Sequence, residues 1–323
     1  MISFIIIGRN EGWKLTRCIE NVFDTIQYNN VLNYEVIYID SNSTDDSIER
    51  ARLFNNIKIY QLTSVYNPAI ARNIGAKNSN GNVLFFIDGD MEILPDFLSL
   101  VYDEKEGLHF PFVSGQLKNY NYNEQGDFVN NTWQYKQVIE RDKFFVTTGG
   151  IFLIKKDLWN SIGGMDITFK RGQDLDLGLR LAKKGIKILR KKEIIANHYT
   201  VAYTHSSRMW KTLFSGDISY ASSFLFRKHI FNPFFYGKVF TSYYTLGSLL
   251  VLAIASFSFN SFNFLIIYPI IIGFKIAKQR KNTFLKIIEL FGFYPVRDLF
   301  FLYYLFVPKK EINPTAIKQV EIK

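Results

Sequence analysis

The sequence predicts an α/β fold, a mostly parallel sheet flanked by helices, with apolar helices appended toward its C-terminal end. Three observations predict it. Short β-type runs alternate with helical patterns from Ser3 to Lys184, as strand–helix–strand crossovers do. The runs Ser3–Ile7 and Val83–Ile87 are apolar without alternation, the pattern of strands covered on both faces. From about His229 onward the composition shifts to long, nearly uncharged stretches.

Taken in order, Ser3–Ile7 is a strand broken at Gly8, too short and without the basic lead of a signal peptide. The catalytic part is therefore expected on the cytoplasmic face of the cell membrane. Lys14–Ile26 follows as a helix, with Leu15, Ile19, Val22, Phe23 and Ile26 at helical spacing. Cys18 within it reads as a packed thiol, and a single cysteine excludes an internal disulfide. Tyr34–Asp40 is a strand, and Thr44, Asp45 and Asp46 can cap the helix that begins at Thr44–Ser47. Ile57–Leu62 is a strand, Pro68–Lys77 a helix, and Val83–Ile87 a central strand. Gly115–Lys143, rich in Asn, Tyr and Gln, reads as loops and short elements over the site. Gly149–Ile154 is a strand and Asp174–Lys184 a helix ending at Gly185.

Tyr243–Phe259 and Phe262–Ile276 are each shorter than the roughly 20 residues that span a bilayer. Together they suit a helical hairpin that dips into the membrane or crosses it with thinning. Phe284–Phe306 mixes Lys286, Glu289, Arg297 and Asp298 into many aromatics, as an interfacial helix pair would. A soluble helical core is the alternative reading of all three. The expected division is a catalytic domain over 1–229 and a membrane-associated helical region over 230–323.

Apolar residues make up 48 % of the 323 positions, enough for a full core and against disorder. The formal net charge is +10, but the basic residues thicken toward the apolar C-terminal stretches. That placement suits an anionic membrane surface, and no zinc-finger spacing or RNP-like strand speaks for nucleic acid.

In open parallel sheets a ligand sits beyond the carboxyl ends of the strands. Three such ends carry polar, acidic or Gly-bearing turns: Gly8-Arg9-Asn10-Glu11, Asp40-Ser41-Asn42-Ser43 and Asp88-Gly89-Asp90. Asp88 and Asp90, one residue apart at a strand end, can share a hard divalent cation (Mg2+ or Mn2+) with diphosphate oxygens completing its shell. An Asp-Gly-Asp turn is equally ordinary turn chemistry. Asp40 can accept from a nucleobase imide N–H or a ribose hydroxyl, or merely cap the next helix with Ser43. Arg72 suits a base or phosphate contact, or an ordinary helix surface. Asp174 opens a helix, where backbone N–H groups and the dipole favour a carboxylate, and from there it can take a proton from an acceptor hydroxyl. Asp176 supports the turn or faces the acceptor, and both acids also fit as plain N-terminal helix residues. Trp133 and Tyr135 can stack on an acceptor sugar or simply pack. His205 can reach a metal or diphosphate; His109, His198 and His229 suggest nothing sharper.

These pieces occur in one order, and with them the sequence resembles the family-2 group of inverting glycosyltransferases with the GT-A fold, a Rossmann-like sheet that binds nucleotide-diphosphate sugars. The resemblance covers Ser3 to His205. It rests on Phe4–Glu11, Ile39–Asp45, Ala71-Arg72-Asn73-Ile74-Gly75, Phe86-Ile87-Asp88-Gly89-Asp90, Thr148-Gly149-Gly150, Gly163-Gly164-Met165-Asp166 and Gln173–Leu181. It implies that Asp40 binds the donor base, that Asp88 and Asp90 bind the nucleotide and metal, and that Asp174 is the general base. Gly8, Asn10, Glu11, Arg72 and Gly89 fall on the donor side. Gly149 and Gly150 line the acceptor side, with Trp133 and Asp176. Two positions depart from the pattern: Gly8 stands where the family often has Pro, and Gln173 where it usually has Glu before the catalytic Asp. The second removes a like charge beside Asp174 and leaves the chemistry possible.

The expectation is a sugar moved from a nucleotide-sugar donor to a lipid-linked or saccharide acceptor, in cell-surface glycan synthesis of the exopolysaccharide, capsule or O-antigen type. A non-catalytic nucleotide-sugar-binding scaffold would have no need of Asp40, Asp88, Asp90 and Asp174 together. A nucleotidyltransferase would need a Gly-rich triphosphate loop, and Gly8-Arg9-Asn10-Glu11-Gly12 is a poor one.

Overall fold

The computed structural model describes residues 1–123, 125–134, 138–201, 206–278 and 283–323, with the backbone alone for 206–208. The chain forms two compact units, Met1–Thr204 with Lys310–Lys323, and His205–Lys309. The division thus falls near residue 204 and not 229, because the helices just after it pack with the apolar ones, while the last residues return to the sheet.

The first unit runs β1 (Ile2–Gly8), α1 (Trp13–Tyr28), β2 (Tyr34–Asp40), α2 (Ser47–Arg52), β3 (Lys58–Leu62), α3 (Pro68–Asn78) and β4 (Val83–Asp88). Then come β5 (Met91–Ile93), α4 (Pro95–Ser99), the small pair β6 (Tyr102–Asp103) and β7 (Gly107–Leu108), β8 (Phe112–Tyr122), β9 (Phe128–Trp133) and β10 (Lys143–Phe145). It continues with β11 (Phe152–Lys155), α5 (Lys156–Ser161), α6 (Gln173–Lys183), β12 (Ile188–Val201) and, after the second unit, β13 (Gln319–Glu321). The sheet order is β10-β12-β8-β11-β4-β1-β2-β3-β13, with β5 against β12 and β9 against β8. Strands β4, β1, β2 and β3 are mutually parallel, and β11 runs antiparallel to β4.

The apolar run of β1 divides between two cores. Phe4 and Ile6 pack with Leu15, Cys18, Ile19 and Val22 of α1 on one face. Ile5 and Ile7 pack with Ala69, Ile70 and Ala76 of α3 on the other. Burial on both sides is why the run shows no alternation. Helix α3 begins as its sequence demands: Asn67 caps the N–H of Ile70 and Pro68 occupies the first turn. Helix α2 begins otherwise than expected. Thr44 is bonded to Asn10, Asp45 takes the N–H of Ser47, and Asp46 pairs with Arg50 one turn on.

The stretch expected as loops is the long strand β8 and its hairpin partner β9. Asn is a poor strand former, and β9 lies almost wholly exposed, so no buried face imposes period two. The hairpin is held instead by cross-strand side chains, Asn121 Nδ2 donating to Asn130 Oδ1 at 2.8 Å and to Thr132 Oγ1 at 3.0 Å. Strand β12 is likewise long, running over 14 residues. Its charged segment Arg190–Glu193 coincides with a register shift against β8, which hides its pattern.

The second unit contains α7 (Ser206–Phe214), α8 (Asp217–His229), α9 (Pro233–Ser242), α10 (Tyr244–Ser258), a 3-10 turn (Phe262–Ile266), α11 (Ile267–Ala277) and α12 (Phe284–Phe306). The last is one helix with Pro295 inside it, not a pair. Tyr268, Ile272, Ile276, Leu290 and Tyr294 form its small core. Among the described residues no single helix is long and apolar enough to cross a membrane; α9 and α10 meet that test together, bent by 79°.

Candidate functional site

A cavity of about 780 Å³ opens at the carboxyl ends of β1, β2 and β4, where the topology requires a ligand site. Gly8, Arg9, Glu11, Ser41, Arg72, Asp88, Asp90, Gly149, Gly150 and Asp174 all line it. Residues separated by more than 160 positions thus share one wall.

Asp88 and Asp90 leave the end of β4 in different directions. Asp88 Oδ1 accepts from Arg72 Nη2 at 2.5 Å, and the same nitrogen reaches the Gly150 carbonyl at 3.0 Å. Arg72 is therefore not a surface arginine: it is 3 % exposed and clamps Asp88 to the β10–β11 loop. Its Nε is buried without a partner. Burial pushes the Asp88 carboxyl up to about 6, with Arg72 opposing and Asp90 adding to the rise. A third of that side chain still faces the cavity.

Asp90 turns toward β12. Its Oδ2 lies 3.1 Å from Nε2 of His198, whose Nδ1 lies 3.0 Å from Asn119 Oδ1. Burial acts to lower the His198 value, but the hydrogen bond to Asp90 and the charges of Asp90 and Asp88 outweigh it, and the net shift is upward. Glu11 completes the acidic end. Burial raises its carboxyl most, the Asp90 charge raises it further, and Lys14 at 2.8 Å opposes both.

Asp174 sits at the start of α6 and lines the same cavity, its Oδ2 accepting from Thr147 Oγ1 at 3.1 Å. The preceding Gly172, at φ 77°, provides the left-handed turn into the helix. Arg9, Lys170 and Arg171 bring positive charge to the same walls, and the Arg9 guanidinium lies 4.5 Å from the centre of the Tyr66 ring.

Several expected residues lie elsewhere. Asp40 is wholly buried behind Ser41, its carboxylate taken by Tyr38 at 2.9 Å and by the N–H and hydroxyl of Ser43. Asn10 is exposed and stitches its loop to Ser43 and Thr44. Gly89 bonds back to Ile7 at 2.8 Å and packs against Glu11 and Leu15. Asp176 is fully buried and holds Arg180 at 2.8 Å, which in turn clamps the carbonyls of Ile162 and Gly164. It shapes the Gly163-Gly164 turn and does not face an acceptor. Trp133 ends β9 outside the cavity wall, where its neighbour Gln134 stands. His205 and Tyr135 lie outside the described residues.

His198 is the residue that sequence reasoning missed. Nothing marks it along the chain, because its place depends on β5 and β12 pairing Met91 with His198.

Among the described residues no three His, Cys, Asp or Glu side chains converge on one point. Asp90 and His198 do fit a divalent cation as a pair, a hard carboxylate beside an imidazole, with room in the cavity for diphosphate oxygens to complete the shell. Asp88 fits less well, since Arg72 occupies one of its oxygens.

Residues 3–163, about half of the chain, match the family described as Glycosyl transferase family 2. The dolichyl N-acetyl-alpha-D-glucosaminyl phosphate 3-beta-D-2,3-diacetamido-2,3-dideoxy-beta-D-glucuronosyltransferase of Methanococcus voltae is 29% identical over 259 residues, 72% of this chain and 75% of the relative. Glycosyltransferase AglE of Haloferax volcanii is 25% identical, over 61% of this chain and 66% of its own. The dolichol-phosphate mannosyltransferase of Pyrococcus furiosus is 26% identical, over 58% and 51%. The matched regions thus span less than two thirds of the last two relatives. Among solved structures, the mannosyltransferase PcManGT from Pyrobaculum calidifontis, in complex with GDP-Man and Mn2+, is similar in fold with a TM-score of 0.57 at 14% identity. That match covers 94% of this chain and 87% of the other.

Proposed function

The chain belongs to glycosyl transferase family 2 and is a glycosyltransferase of the GT-A fold, and from that premise we propose that it transfers a sugar with inversion from a nucleotide-diphosphate donor to a lipid-linked acceptor. The observation that carries this reading is one cavity lined by Asp88, Asp90 and Asp174, with His198 set against Asp90.

In this reading Asp174 takes the proton of an acceptor hydroxyl as that oxygen attacks the anomeric carbon. The new carbon–oxygen bond forms opposite the old one, and the nucleoside diphosphate leaves with the electron pair. When bound at Asp90 and His198, a divalent cation would neutralise charge on that leaving group. Arg9, Lys170 and Arg171 add fixed positive charge near the diphosphate, and Thr147 orients the base. Asp40 contacts the donor base only if Ser43 releases it.

The acceptor class has support from two relatives whose names contain dolichyl or dolichol phosphate. A polyisoprenoid-linked acceptor in cell-surface glycan synthesis (exopolysaccharide, capsule or O-antigen type) is consistent with them. A donor screen by calorimetry tests the reading, with UDP-, GDP- and dTDP-sugars, each with and without Mn2+. Binding of one donor that depends on the cation and is lost in Asp90→Ala is the expected result. Equal affinity with the cation removed would refute the metal assignment.

The second unit supports a place at the cytoplasmic face of the cell membrane. Its large apolar side chains point outward, with Phe257 90 %, Phe231 87 % and Phe306 86 % exposed. Three of its charged side chains turn inward: Asp298 is fully buried, held by Arg297 and by Tyr268, and Lys275 lies between the Tyr244 and Tyr294 rings. Polar groups inside and apolar groups outside is the arrangement of helices surrounded by lipid. The full chain should float with phosphatidylglycerol vesicles in high salt, and Phe231→Ser/Phe257→Ser should weaken that retention. Undiminished flotation of the double variant would remove these side chains from the contact.

A further inference from the structure

We propose that Arg227, with Lys309 beside it, forms a binding site for the phosphate of an anionic phospholipid headgroup. The site presupposes the proposed place of the second unit at the membrane, and it names the lipid group that one part of that unit grips.

Arg227 stands in the last turn of α8, with Lys228 and His229. Its Nε and Nη2 are both buried, and neither has a hydrogen-bond partner among the described residues. Those two nitrogens form one edge of the guanidinium, the fork whose paired N–H groups hold a carboxylate or phosphate through two oxygens. In Arg297 of the same unit that edge is satisfied within the chain, both nitrogens giving to Asp298 Oδ1. The dipole of α8 favours a cation at its C-terminal end, but it supplies no acceptor to the fork. A buried charged donor without an acceptor is costly, and an anion brought from outside the chain removes that cost.

A second charge lies at hand. The Arg227 guanidinium is 5.7 Å from the centre of the Phe224 ring and the Lys309 ammonium 5.5 Å from it, so both cations gather at one aromatic side chain. Lys309 is exposed, and its flexible stem lets the ammonium turn to an oxygen that the fork does not hold. Phe235 packs against Phe226 and His229, which keeps the start of α9 beside the last turn of α8. There the apolar side chains face outward, with Phe231 87 % and Phe234 50 % exposed. Cations beside outward-facing aromatic rings meet a bilayer at the depth of its phosphates. A soluble anion gains nothing from those rings, whereas a phospholipid engages both.

The test measures binding of the full chain to three kinds of vesicle at one ionic strength: phosphatidylcholine alone, an equal mixture with phosphatidylglycerol, and phosphatidylcholine carrying a polyisoprenyl phosphate. The unmodified protein should bind the phosphatidylglycerol mixture more tightly than phosphatidylcholine alone. Arg227→Gln should weaken binding to the mixture about 10-fold, as loss of a two-bond charged contact does. Its binding to pure phosphatidylcholine and its donor affinity should not change. Arg227→Lys keeps the charge and loses the fork, so it should recover only part of that loss; should Arg227→Gln fail to fold, this variant decides alone. Equal binding by Arg227→Lys and the unmodified protein overturns the site, because diffuse attraction of one charge, about fivefold, does not distinguish the two. So does unchanged binding of a folded Arg227→Gln to the mixture. An effect confined to the polyisoprenyl phosphate vesicles also overturns it, and would make the acceptor the occupant. If the unmodified protein binds all three vesicles alike, the site is wrong and the membrane placement stands. If it binds none, the placement itself is wrong, and the site with it.

Discussion

Asp174→Asn is expected to lower turnover by about 10²- to 10⁴-fold, the usual contribution of a positioned general base, while donor affinity stays at the wild-type value. The substitution preserves shape and keeps an oxygen for Thr147, which lies 3.1 Å away. It removes only the ability to take a proton. The loss corresponds to roughly 3–5 kcal/mol of transition-state stabilisation. Asp174 is held by Thr147 and is not part of the Asp90–His198 pair, so the donor should bind as before, and the effect should fall on kcat. Release of nucleoside diphosphate by purified protein with a lipid-linked acceptor measures it. Wild-type turnover in the variant would remove Asp174 from the chemistry and direct attention to Glu11, a further carboxylate on the cavity wall, raised by burial.

Gly150→Ala is expected to weaken donor binding by way of a residue that touches no base, sugar or metal in the proposed reaction. A Cβ at that position would lie 1.9 Å from Asp88 Oδ2 and 2.8 Å from Asp88 Cγ. Asp88 must move, and with it goes the contact to Arg72, which is almost wholly buried. Removing one partner of a buried ion pair costs about 3–5 kcal/mol. Asp88 keeps a third of its surface open to the cavity, so the cost here should fall below that range. A donor affinity at least about tenfold weaker corresponds to the ~1.4 kcal/mol that would remain after such a discount. Calorimetry with the donor found in the screen reads the affinity, and the thermal midpoint should drop with it. An unchanged dissociation constant would mean that the Arg72–Asp88–Gly150 cluster has no part in holding the donor.

Much of the fold is legible along the chain because its evidence is local. The run Tyr34–Asp40 is a strand with the same limits in sequence and structure, since burial on both faces leaves the apolar segment Val36–Ile39, which ends on an acid. Helix α1 extends the expected range by a residue or two at each end, and α3 starts at Pro68 as its cap requires. The β8–β9 hairpin was not legible. Strand β9 faces solvent and the end of β8 that it pairs with carries Asn and Tyr, so neither propensity nor alternation marks the hairpin, and side-chain amides bond across it. The site divides in the same way. Asp88, Asp90, Gly150 and Asp174 could be named from motifs and do share a cavity. Asp40, Asn10, Gly89 and Asp176 belong to the same motifs but serve the loops and turns around it.

The sequence by itself determined the class of fold, the family and the acids that end the strands, because hydrophobic period and turn chemistry are properties of neighbouring residues. Only the tertiary structure decided how those acids are shared out. Asp88 faces Arg72 because α3 packs on β1 and β2, next to β4 in the sheet, and Asp90 faces His198 because β5 pairs with β12 more than a hundred positions later. Such partnerships depend on strand register and on the direction in which each side chain leaves the backbone. Those are set when distant segments meet in the sheet, and no local pattern records them.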